Sequence, residues 1–67
     1  AVRSDEVLGV LERAALGDGY ALVRDAAVRA LFAVDARGTK SVLERIGRVD
    51  PEASVQATVR QLLERAP

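Results

Sequence analysis

The chain contains no cysteine, no histidine, no methionine and no tryptophan. Without cysteine it has neither a disulfide nor a thiolate metal site, and without histidine it lacks the commonest metal ligand and the commonest general base. Aromatics reduce to Tyr20 and Phe32, and proline to Pro51 and Pro67. An excess of one charge is missing too: ten Lys and Arg balance ten Asp and Glu, so no net field steers the chain toward nucleic acid or an acidic membrane. No uncharged run approaches the roughly 20 residues of a membrane span, and no basic-then-apolar signal segment opens the sequence. These absences predict a cytoplasmic protein with no metal, no cofactor and no membrane partner. Catalysis is not expected either: the carboxylates fall at helix caps or in charge pairs, and Ser4, Ser41 and Ser54 have no histidine to activate them.

What remains is small and aliphatic. Of 67 residues, 12 are Ala, 10 Val and 8 Leu, with Ile46, Phe32 and Tyr20 completing the apolar 49%. Side chains this small bury little area each, at roughly 25 cal/mol per Å², and one core below about 70–80 residues seldom yields more than a few kcal/mol. They do let helices approach closely. Such a chain makes a poor solitary globule and a good member of a stack, in which each unit gains area from its neighbours.

The sequence also repeats itself. Val10-Leu11-Glu12-Arg13 returns as Val42-Leu43-Glu44-Arg45, and the same offset of 32 pairs Asp18 with Asp50, Ala21 with Ala53, Val23 with Val55, Leu31 with Leu63 and Ala1-Val2 with Ala33-Val34. The 10 identities among 35 ungapped pairs exceed the roughly three expected of random pairing and predict a tandem helical repeat, about 4–34 and about 36–66, within one domain spanning 1–67. A rival offset of 31 aligns Ala26-Ala27-Val28-Arg29-Ala30-Leu31 with Ala57-Thr58-Val59-Arg60-Gln61-Leu62. The 32-residue register accounts for more positions and is preferred. Because Ala1-Val2 matches the end of a helix inside the repeat, the start is expected either to be cut from a longer array or to reflect removal of an initiator Met.

The expected architecture is all-α, with four helices in two antiparallel pairs. Helix one runs from Ser4, as cap, to Ala15 or Leu16, with Asp5 and Glu6 in its first turn and a stripe of Val7, Leu8, Leu11, Ala14 and Ala15. Gly17-Asp18-Gly19 ends it, glycine tolerating the left-handed conformation and Asp18 capping the second helix. Helix two, to Val34, carries Tyr20, Val23, Ala27, Ala30, Leu31 and Val34 on one face, while Leu22, Ala26, Val28 and Phe32 also call for cover. Helix three begins at Gly38 or Thr39 and is closed by Gly47. Asp50 and Pro51 open helix four, which runs to about Arg65 with Val55, Val59, Leu62 and Leu63 inward.

From Asp18 onward, the order Val23-Arg24, Ala26-Ala27, Arg29-Ala30-Leu31, Asp35 and Ser41-Val42-Leu43 resembles the short HEAT-like repeats of phycobilisome-lyase-type and related bacterial proteins. The second copy keeps Asp50-Pro51-Glu52 and Val55, but has Gln56 where a basic residue is expected and Leu62-Leu63 in place of Ala-Leu. The resemblance implies an α-solenoid, a right-handed stack of helix pairs that holds other proteins, and in some members serves as a lyase accessory or grips nucleic acid.

The leading expectation is therefore a protein-interaction scaffold binding a protein partner along an inner-helix face that carries Arg24, Arg29 and Arg60, whose forks suit carboxylate or phosphate. A structural role competes for these arginines: Asp25 with Arg29 and Glu44 with Arg48 stand four apart on one helix, and Arg24 is placed to bond a turn Asp of the adjacent repeat. Alternatives in function are a nucleic-acid-binding helical-repeat module and an accessory domain of a larger enzyme. An Asp18–Asp50 carboxylate site and phosphate binding at Gly17-Asp18-Gly19 both yield to capping as the simpler account. Self-association is expected through apolar end faces, near Val2, Val7 and Leu8 at one end and Leu62 and Leu63 at the other.

Overall fold

A computed structural model describes residues 4–67, so the expectations placed on Ala1 and Val2 lie outside the described residues. Four helices succeed one another along the chain: α1 (Ser4–Gly17), α2 (Ala21–Val34), α3 (Lys40–Val49) and α4 (Ala53–Arg65), with no strand among the described residues. Asp5 and Glu6 occupy the first turn of α1 as expected. A 14-residue helix is about 20 Å long, so the three-residue links 18–20 and 50–52 must reverse the chain for α1 to lie along α2 and α3 along α4. α2 also packs on α4, and α1 touches α3. The result is a slab of 36 × 29 × 15 Å, two helices deep in its thinnest direction.

The core is assembled from α2, α3 and α4. Val28, Leu31, Leu43, Ile46 and Val55 are fully buried, flanked by Ala27, Val59 and Leu62, whereas α1 contributes only Ala15 in full and Leu8, Leu11, Ala14 and Leu16 in part. Each buried Leu, Ile or Val is worth roughly 1.5–3 kcal/mol. Leu43 and Ile46 show why α3, the shortest helix, holds its place: three apart, they sit on one stripe of a segment that also carries Lys40, Glu44, Arg45 and Arg48.

The turns obey the 32-residue period closely. Asp18 Oδ1 accepts the Tyr20 N–H at 2.8 Å, and Asp50 Oδ1 accepts the Glu52 N–H at 2.9 Å. Arg24 Nη1 donates to the Asp18 carbonyl at 2.9 Å, and Gln56 Nε2 to the Asp50 carbonyl at 2.7 Å. Gln56, the departure from the expected basic residue, thus fills part of the same role.

The buried faces do not obey it. Val23 is 41% exposed while Val55 is fully buried. The buried positions on α2 are 27, 28 and 31, and on α4 they are 55, 58, 59 and 62, so 27, 28 and 31 recur as 58, 59 and 62 at an offset of 31. One residue is 100° of helix rotation. α4 has α2 packed on the edge that carries Thr58, while α2 has no helix on its corresponding edge, so α2 turns that edge outward.

Other local expectations are corrected too. Gly47 does not close α3, which continues to Val49; a Cβ there would lie 3.0 Å from Val59 Cγ1, so the glycine serves close approach of α3 to α4. No described glycine adopts positive φ; the Asp18 N–H continues the helical pattern to the Ala14 carbonyl and the Asp18 carboxylate then turns the chain. α4 starts at Ala53, two residues after Pro51, because the Asp50 carboxylate holds the Glu52 N–H first. The Gly38 N–H binds Asp35 Oδ1, and a Cβ at that position would displace the exposed carboxylate.

Candidate functional site

The first turn of α2 places Arg24 over the link between α3 and α4. Its Nε lies 2.8 Å from Asp50 Oδ2 and its Nη2 3.2 Å from Asp50 Oδ1, a two-pronged pair whose side chains are 12% and 4% exposed. With Nη1 on the Asp18 carbonyl, the guanidinium joins both turns. Hydrogen bonding from Arg24, aided by the Glu52 N–H and opposed by burial, holds the Asp50 carboxyl below its ordinary value, and the Arg24 guanidinium is correspondingly pushed up. Arg24 bonds a turn Asp of the second helix pair, and its fork is occupied within the fold.

One turn further along α2, Arg29 Nε donates to Asp25 Oδ2 at 2.8 Å, the pair expected from the i, i+4 spacing, and Nη2 reaches Thr58 Oγ1 on α4 at 3.2 Å. The Thr58 hydroxyl lies 2.5 Å from Asp25 Oδ1 and 3.1 Å from the Ser54 carbonyl. Burial raises the Asp25 carboxyl, but bonds from Arg29 and Thr58 outweigh it and hold it low. This cluster forms the floor of an open groove between α2 and α4, bordered by Leu22, Ala57 and Gln61. The Arg29 side chain is 57% exposed and keeps part of its fork toward solvent.

Arg60 belongs elsewhere. Two residues after Thr58 it lies about 200° round α4, exposed in a separate groove with Gly47, Gln56 and Leu63. The three arginines therefore do not share one inner face: Arg24 holds the helix pairs together, Arg29 lies in the α2–α4 groove and Arg60 points to the far side. The expected Glu44–Arg48 ion pair does not form, in contrast to Arg24–Asp50 and Arg29–Asp25.

The strongest surface features are ones that periodicity assigned to the interior. Leu22 is 86% exposed and Tyr20 76%. On a helix as uniformly apolar as α2, spacing alone does not choose the covered side. Thr58 carried no sequence signal; only the crossing of α4 over α2 brings it to Asp25 and Arg29. Among the described residues no group of three His, Cys, Asp or Glu could hold a metal ion, and no helix is long and apolar enough to cross a membrane. Comparison with protein-family models, curated proteins and solved structures yields no match.

Proposed function

We propose that this chain is a protein-interaction scaffold of HEAT-like type, its two helix pairs stacked as layers of an α-solenoid, which binds a protein segment in the groove between α2 and α4. The return of the same turn bonds after 32 residues and the packing of α2 on α4 support the layered reading. The observation that carries the function is Leu22: a leucine 86% exposed at the border of a groove whose floor is the hydrogen-bonded Asp25–Arg29–Thr58 cluster. An apolar anchor beside a pre-oriented, half-open guanidinium suits a segment with an aliphatic side chain next to a carboxylate. The role is binding rather than catalysis. Arg29 is the arginine that meets the partner; Arg24 keeps the groove walls in register.

Panning a displayed peptide library against the chain tests this. Peptides pairing an apolar with an acidic residue are expected, with Leu22→Glu weakening them at least about tenfold while leaving helicity unchanged, and Arg29→Gln weakening only those bearing the acid. Enrichment of no peptide, or binding indifferent to Leu22→Glu, refutes the reading. Duplex DNA binding that falls steeply with salt favours the nucleic-acid module instead.

A further inference from the structure

The bonds from Asp25 and Arg29 to Thr58 identify the edge of α2 that meets α4. At 100° per residue, Val23, Ala30 and Val34 fall on the opposite edge. α1 runs antiparallel beside α2, and its edge on that same side carries Val7, Val10 and Ala14, with Val7 and Val10 lining a shallow groove. Val10 is 57% exposed, Val34 47% and Val23 41%. The six positions form an apolar face across both helices, bordered on α1 by Glu6.

The opposite end of the slab has different chemistry. There the groove between α3 and α4 has Gly47, Val59 and Leu63 in its lining but also Gln56, Arg60 and Glu64. Seating the valine face on that end of a neighbour would strip water from Arg60 and Glu64 against aliphatic carbon, which is costly for unpaired charges. The face therefore matches itself better than it matches the other end, and a self-matching face closes as a two-fold pair rather than a filament.

We propose that two copies of this chain pair through the α1–α2 face, with α1 lying antiparallel on α1 of the second copy. Charge placement selects this arrangement. With Val7 of one copy beside Ala14 of the other, Glu6 comes within about 3 Å of Arg13 along the helix axis, inside the reach of the arginine at the rim, and symmetry makes the contact twice. Both residues are exposed, and neither takes part in the ion pairs formed by the described residues. The pairing leaves the α2–α4 groove open, so it stands apart from the peptide-binding role.

Sedimentation equilibrium from micromolar to millimolar chain is expected to show a closed monomer–dimer equilibrium. Val10→Glu abolishes the dimer without loss of helicity, since Val10 carries little of the core. Glu6→Arg or Arg13→Glu alone weakens association about tenfold at low salt, and the two reversals together restore it. A strict monomer at millimolar concentration, growth beyond the dimer, or single reversals that the double does not rescue would each overturn the proposal.

Discussion

Replacing a glycine inside a helix with alanine usually stabilises the helix, and Gly9 and Gly47 are two interior sites with opposite surroundings. At Gly9 in α1, an added Cβ would meet only the tip of the Arg13 side chain, at 3.6 Å. The substitution therefore keeps the full propensity gain of about 0.8–1 kcal/mol, a rise of about 4–8 °C in Tm for a domain of this size. At Gly47 in α3 the same atom would lie 3.0 Å from Val59 Cγ1 and 3.7 Å from Val59 Cβ. Val59 is 2% exposed and belongs to the core cluster; as a β-branched helical residue it has essentially one rotamer, so it does not swing aside. Room must come from parting α3 and α4, and overpacking of this kind costs about 1–3 kcal/mol. That offsets or exceeds the propensity gain, leaving Gly47→Ala neutral to about 2 kcal/mol less stable. Urea unfolding monitored by circular dichroism, both variants at one chain concentration, reads the difference directly. Equal stabilisation at the two sites would refute the close approach of α3 to α4.

Truncating Leu43, which is fully buried, removes core packing that α3 has little means to replace. Leu43→Ala is expected to cost about 3–4 kcal/mol and to leave much of the chain unfolded at 25 °C, measured by the urea midpoint. Asp50→Ala removes the acceptor of Arg24 and of the Glu52 N–H together and is expected to cost about 2 kcal/mol at neutral pH. The Asp50 and Asp25 carboxyls both lie below their ordinary value in the fold. The folded chain therefore binds fewer protons, and its advantage is complete above the unfolded pKa of about 3.9 and lost as pH falls below it. Midpoints measured from neutral to strongly acid pH should fall below about pH 4, and fall less steeply in Asp50→Ala.

Much of the molecule was legible one residue at a time. All four helices and their order come from apolar spacing, and the two aspartate turns from residues whose partners lie within six positions in the chain. The Asp25–Arg29 pair is likewise local. What failed did so for a common reason. Gly47 is a helix terminator by local rule but a point of contact by tertiary rule, and Leu22 looked interior only because α2 is apolar on nearly every side. The grouping of Arg24, Arg29 and Arg60 fails for a tertiary reason too: Arg60 follows Arg29 by the same 31 residues that separate the buried faces, yet that edge of α2 meets Thr58 of α4 while that edge of α4 lies in the groove with Gly47 and Gln56.

Bonds between near neighbours depend on backbone geometry that each short segment carries with it, so helix content, turn positions and the lack of any thiol were decided in the chain itself. Which edge of α2 turns inward, whether Arg24 reaches Asp50 26 positions away, and whether Leu22 faces solvent were decided by packing. A helix with several nearly equivalent apolar faces has no local preference among them; the neighbour that buries most area against one face makes the choice.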